Sequence, residues 1–268
     1  MKKIIILIIC FGIFTSCEEV VDIGLNEGEP KLVIDAKITK NIENDSSVAR
    51  VKLSTTVPFF DNEINLVNDA TVTITDENGT VYTIENTSDG LYEYEDFNPQ
   101  PNTEYTLEVV YNDEIYSATE QLQTVVPLEF VEQRNDGGFD GESIELKAFF
   151  TDPANEENYY FFEGLSSKGN VYDAFDDEFF DGNLIFGFYV VDDLETGDEV
   201  TFFLHGADEQ FYNFMFILLQ QGSDSSGGPF ETQPATVRGN LINETTPDNF
   251  PLGYFRISET SILRYTVQ

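Results

Sequence analysis

Residues 70–85 read ATVTITDENGTVYTIE, two runs of Val, Ile, Thr and Tyr alternating with polar residues on either side of Asp76-Glu77-Asn78-Gly79. A period of two puts every second side chain on one face, which is how a half-buried strand reads, and Asn-Gly supplies the positive φ of a tight hairpin turn. The same period recurs outward in both directions. It predicts strands over 31–40, 48–56, 70–76, 80–85, 91–95, 104–111 and 115–123. Pro99-Gln100-Pro101-Asn102 punctuates the chain before EYTLEVVY, with Asn102 suited to a left-handed conformation. Seven short strands separated by turns indicate an immunoglobulin-like β-sandwich over 31–125, without the Cys-Trp-Cys set of an antibody domain.

Beyond Val126-Pro127 the composition shifts, since 26 of the 37 aromatic residues fall in 126–268. Strands are expected there over 128–134, 144–151, 158–165, 184–191, 199–205, 235–242, 252–258 and 260–267. One helix is expected over 208–221, with Asp208 as N-cap and Phe211, Phe214, Met215, Leu218 and Leu219 on one face. The fold class that follows is mainly β: the sandwich, then an antiparallel sheet or barrel-like domain over 126–268 with one packed amphipathic helix. Segments 166–183 and 222–234 read as long loops.

The N-terminus has a different grammar. Met1-Lys2-Lys3 precedes an apolar run from Ile4 to Phe14, closed by Thr15-Ser16-Cys17, which is the pattern of a secretory signal over 1–16. The run is half the ~20 apolar residues needed to span a membrane. Phe14-Thr15-Ser16-Cys17 resembles a bacterial lipobox, so Cys17 is the expected lipidation site, followed by an acidic tether over 17–30. Glu18 and Glu19 behind it resemble a signal for export to the cell exterior. The only other cysteine, Cys10, lies within the signal, leaving the mature chain no disulfide partner.

The 268 residues carry 13 Lys+Arg against 50 Asp+Glu, a formal net charge of -37, which excludes nucleic acid as a partner by long-range repulsion. Between Leu53 and Glu132 there is no Lys or Arg and 17 acids, so most of the sandwich is purely anionic. With 41% apolar and 14% aromatic residues, that charge sits on a folded body.

Chemistry is sparse. The single histidine, His205, closes the strand EVTFFLH and is expected as a strand-end or capping residue, and no G-x-S-x-G elbow supplies a nucleophile. No thiol or imidazole cluster suits zinc, and among 50 acids the sequence marks no carboxylate as a catalytic acid. No enzymatic activity and no cofactor are expected. Calcium, which takes oxygens from acidic loops, finds weak candidates in Asp173, Asp176, Asp177 and Asp181, with Glu178 beside them and Asp192, Asp193, Glu195 and Asp198 in a second loop. Among the aromatic clusters, 159–162 and 202–203 read as strand pairs with one ring turned into the core. Phe179 and Phe180, in a loop beside acids, are the candidate contact residues.

The order of several motifs carries a family likeness. EPKLVIDAKIT over 29–39, VNDATVTITDENG over 67–79, Asn158-Tyr159-Tyr160 after Asp152-Pro153, the loop DEFFDG over 177–182, and GGPF, VRGNLIN and LGYFRIS toward the end together resemble the domain-of-unknown-function 4249 family of Bacteroidota lipoproteins. The likeness spans essentially the whole mature chain. Where that family tends to place Gly before the EYTLEV strand, this chain has Asn102. The resemblance implies an outer-membrane lipoprotein, encoded beside a TonB-dependent β-barrel receptor and accessory to nutrient capture or uptake, with the exterior orientation resting on Glu18 and Glu19. It implies no catalytic or ligand residues. The alternatives are a stand-alone glycan- or calcium-binding surface lipoprotein and a structural envelope component.

Overall fold

A computed structural model describes residues 28–58, 63–138, 141–222 and 236–268. The signal, Cys17, Glu18, Glu19, the first part of the tether and most of the 222–234 loop lie outside the described residues. The chain is mainly β, with sixteen strands and one helix among the described residues.

The first half forms β1 (Leu32–Asn41), β2 (Ser47–Thr55), β3 (Asn65–Leu66), β4 (Thr71–Asp76), β5 (Val81–Ser88), β6 (Leu91–Glu95), β7 (Glu104–Tyr111) and β8 (Glu114–Gln121). The first half of β5 pairs with β4 and its second half with β6, with a register shift between Asn86 and Ser88. A bulge bends a strand and increases its twist, so β5 carries the chain from one layer of the sandwich to the other. Between the layers lie Ile34, Ile38, Leu53, Ile74, Leu107 and Val109, each sealed from solvent and each contributing roughly 1.5–3 kcal/mol through burial.

The deciding hairpin forms with a three-residue loop. Asp76 N–H donates to Thr80 O at 3.0 Å and Gly79 N–H to Asp76 O at 2.9 Å. Gly79 takes the positive φ, 83°, while Asn78 does not. Asp76 Oδ1 accepts from the Asn78 and Thr80 N–H groups at 2.9 and 2.8 Å, so the side chain closes the turn. Asn102 is left-handed as expected, at φ 55°.

The second half comprises β9 (Phe130–Gly137), β10 (Ser143–Thr151), β11 (Tyr159–Leu165), β12 (Asn170–Asp176), β13 (Leu184–Tyr189), β14 (Glu199–Ala207), α1 (Glu209–Gly222), β15 (Ile242–Asn243) and β16 (Leu252–Thr266). Sheet β13-β10-β9 faces β11 and β14 across a second core of Leu146, Phe150, Tyr160, Phe162, Tyr189 and Phe202. This half is thus a second two-layer stack with open sheets.

Four elements differ from the sequence reading. β12 occupies part of what reads as a loop, because only one of its seven residues is buried and its acids hide the alternation. Within 236–242, only Ile242 joins a strand, in the two-residue pairing of β15 with β8. Leu218, expected on the packed face of α1, is 43% exposed. The strands expected over 252–258 and 260–267 are one, β16. Its first part runs parallel to β1, from Val33 opposite Leu252 to Asn41 opposite Thr260, and its second part runs antiparallel to β14, from His205 opposite Thr260 to Glu199 opposite Thr266.

That strand makes one continuous sheet, β12-β11-β14-β16-β1-β2-β6. Along β16, Phe255 and Ile257 enter the first core and Leu263 and Tyr265 the second, joined by Val267 just past the strand. Leu241, Phe255 and Ile257, which a boundary at Val126 assigns to the second domain, therefore complete the first. Both cores lie on one face of the shared sheet. The opposite face presents Tyr254, Arg256, Ser258, Thr260 and Ile262, by the two-residue alternation of a strand.

Candidate functional site

Helix α1 lies over β11 and β12 on that opposite face. Asp208 caps it, accepting from Phe211 N–H at 2.7 Å through Oδ1, and Phe211, Phe214, Met215 and Leu219 pack with Phe161, Ala174 and Tyr254. The helix leaves the middle of the sheet open as a cleft in two compartments. One, of about 500 Å³, is lined by polar groups that include Lys37, Thr39, Arg50, His205 and Thr260. The other, of about 370 Å³, runs beside α1 and is walled by Phe161, Tyr172, Phe211, Phe214, Met215 and Leu218. Lys37, Glu163 and Arg256 line both.

Strand register assembles the floor. Glu93 of β6 pairs with Arg50 of β2, Arg50 with Lys37 of β1, and Lys37 with Arg256 of β16. Three cations thus stand side by side in a chain with only 13, although like charges directly opposite one another oppose pairing. Arg50 Nε is neutralised by Glu93 Oε1 at 2.6 Å. Arg256 is buried, and its Nη2 lies 4.0 Å from Glu163 Oε1 while Nη1 donates to Ser258 Oγ at 3.1 Å. Lys37 makes no hydrogen bond or ion pair among the described residues.

His205 is not at a strand end, since β14 continues to Ala207, and the ring is buried against the cleft. Burial, reinforced by the Arg256 charge, depresses it to about 4, so the imidazole is neutral at pH 7. Its Nδ1 lies 2.8 Å from Thr260 Oγ1 and its Nε2 3.5 Å from Glu163 Oε1. A neutral ring that accepts from the Thr260 hydroxyl carries its proton on Nε2, on the side of Glu163, where it makes no hydrogen bond. Burial alone would raise Glu163, but the adjacent His205 ring and the Arg256 and Lys37 charges outweigh it and hold its carboxyl below the ordinary range. Hydroxyl, imidazole and carboxylate follow one another here, with Thr260 only 3% exposed.

The acidic loop divides. Carboxylate oxygens of Asp177 and Asp181 gather with one of Asp152 within 4.8 Å, whereas Asp173 and Asp176 are not in that group. The register of β12 separates them: Asp173 accepts from its own neighbour, Ala174 N–H, and Asp176 from Glu178 N–H. Asp152, which the sequence reading passed over, accepts from Tyr160 Oη and Gly182 N–H, Asp177 from Asn158 N–H, and Asp181 from Asn155 N–H. These oxygens already hold the loop together.

Phe179 and Phe180 are exposed, at 80% and 47%. A larger aromatic surface went unread. On the outer face of β13-β10-β9, Phe149 stands opposite Phe130 on one side and Phe186 on the other, with ring centroids 4.7 and 5.2 Å apart. Phe130 and Phe186 are 44% and 42% exposed. Lys147 lies 4.9 Å over the Phe186 ring. Each residue sits in an alternating strand, so the signal was present, but only the register between strands shows that the three align.

A search of curated proteins finds no match. Among solved structures, the chain is similar to a two fibronectin type-III domain segment from chicken tenascin, at 14% identity over 68% of this chain and 92% of that one. The TM-score of 0.20 is too low for that likeness to carry an argument. The family model for a domain of unknown function, DUF4249, matches residues 18–263, and the chain belongs to that family.

Proposed function

We propose that the protein is a non-enzymatic outer-membrane lipoprotein, anchored through Cys17 and facing the cell exterior, that assists a TonB-dependent β-barrel receptor in nutrient capture. The row Phe130–Phe149–Phe186 supports this reading best. Three adjacent rings on a solvent-facing sheet, Phe130 stacked on Phe149 and Phe186 tilted against it, form an apolar patch of the kind that marks a macromolecular contact, and aromatic anchors carry much of the energy of such contacts. The anionic sandwich suits the role of a soluble stalk that does not stick to its neighbours. The lipobox-like Phe14-Thr15-Ser16-Cys17 and the acids behind it support the anchor and its address.

Affinity isolation of the tagged full-length chain from solubilised outer membrane tests the proposal. A β-barrel receptor is expected with the wild type and is expected to be lost with the triple change Phe130→Ser, Phe149→Ser and Phe186→Ser. Recovery of the wild-type protein alone would contradict the proposal. A second reading, a stand-alone ligand-binding surface lipoprotein, is favoured by the cleft over Lys37 and Arg256, and in that case the isolation returns no receptor.

A further inference from the structure

We infer that the cleft beneath α1 binds a small organic acid, holding its carboxylate at Lys37 and Arg256 and its apolar body against the helix. The inference stands apart from the receptor proposal, because it concerns the opposite face of the sheet from the cores and needs no partner.

Three observations support it. First, the charges of the floor do not cancel. Arg50 is matched by Glu93, and Arg256 by Glu163 with Asp35 nearby, while His205 is neutral. The Lys37 ammonium is left without an ion-pair partner among the described residues. The other acids lining the cleft are exposed at its rims; Asp35 adds to the field at Arg256, while Glu95 and Asp96 stand at the far end of the polar compartment. Second, donors on the floor are unused. The guanidinium has five N–H groups, and Arg256 gives one hydrogen bond, to Ser258, among the described residues. Lys37 gives none. Third, the two compartments differ in chemistry and meet at these cations. One mixes hydroxyl and amide groups with Val48, Leu165, Phe203 and Ile262, the other is walled mainly by Phe161, Phe211, Phe214, Met215 and Leu218, and Leu218 is exposed there although it belongs to the apolar stripe of α1.

The class of ligand follows from the arithmetic of charge and shape. A compartment of about 370 Å³ with one polar end takes a small molecule with an apolar body. An unpaired Lys37 ammonium beside the ionised Glu163 suits a monoanion. A phosphate monoester, with a charge of about -1.5 to -2 at neutral pH, would meet the Glu163 carboxylate with its excess. Polar groups that reject a ligand lacking the matching partner give the site its selectivity.

Isothermal titration of the full-length chain with 4-phenylbutyrate, 4-phenylbutanol, 4-phenylbutylamine and 4-phenylbutyl phosphate tests the inference. The carboxylate is expected to bind saturably at one site, and the alcohol, the amine and the phosphate monoester each at least about tenfold more weakly, the effect of losing or mismatching one charge-assisted hydrogen bond. Lys37→Met, on an open sheet face, is expected to weaken the carboxylate by a similar factor while leaving the melting temperature in place. Lys52→Met, on the same sheet but outside the cleft lining, is expected to change nothing. The inference is overturned if the wild type shows no saturable binding of 4-phenylbutyrate, if any of the other three probes binds as tightly, or if a folded Lys37→Met chain binds the acid unchanged.

Discussion

Gly253 of β16 lies so close to Ile34 of β1 that a Cβ at Gly253 would stand 2.1 Å from the Ile34 carbonyl oxygen. Its φ of 100° is one that side chains with a Cβ avoid. The contact sits near the start of the parallel pairing that draws the end of the chain into the first sandwich. Gly253→Ala must move backbone as well as adopt a strained conformation, and a loss of about 2–4 kcal/mol is expected. Urea unfolding measures it. Because β16 enters both cores, aromatic signals from the two halves should shift to one lower midpoint, and an unchanged midpoint would refute the account of the junction.

Tyr160 and Asp152 form a buried pair in the second core, the phenol donating to Oδ1 at 2.5 Å. Burial, then the Asp152 hydrogen bond, raises the Tyr160 hydroxyl far above its ordinary value, so it remains a donor throughout the physiological range. Tyr160→Phe leaves a carboxylate that is 2% exposed with one donor fewer, and about 1–3 kcal/mol should be lost. Equal stability of the variant in denaturant titration would show that the pair contributes little.

Glu120 should make stability depend on pH. Burial, with the Asp208 carboxyl beside it, pushes Glu120 from 4.5 up to about 8, against the opposing Asn240 hydrogen bond. The folded state therefore keeps a proton that the unfolded chain releases. This stabilisation is complete below 4.5, falls as pH rises through the window, and is gone above about 8. Glu120→Gln keeps an oxygen for Asn240 Nδ2 and has no charge to lose. Its melting temperature is expected to exceed that of the wild type at pH 8.5 and to vary less between pH 5 and 8.5. Parallel pH profiles for the two chains would refute the assignment.

Local pattern carried much of the fold. The alternation in ATVTITDENGTVYTIE, the left-handed Asn102, and the stripe from Phe211 to Leu219 behind the Asp208 cap are all written in neighbouring residues, and the structure forms each of them. What was not legible depends on partners distant in sequence. Nothing near LGYFRISETSILRYT shows that its first part will pair with Leu32–Asn41, so β16 read as two strands of a second domain. The site follows the same rule. His205 read as peripheral because Glu163, Thr260 and Arg256 reach it only through strand register. Asp152 carries no local signal, because Tyr160 and Gly182 reach it only when β11 and the 177–182 loop fold over it.

The most direct measurement of the central claim is site-specific photo-crosslinking in intact cells, with the probe placed at Phe149, at Phe180 or, as a control on the anionic sandwich, at Glu108. The account predicts an adduct with a β-barrel receptor from Phe149 and none from Glu108, since the aromatic row and not the stalk meets the receptor. A receptor adduct from Glu108 alone, or no receptor adduct from Phe149, would contradict it.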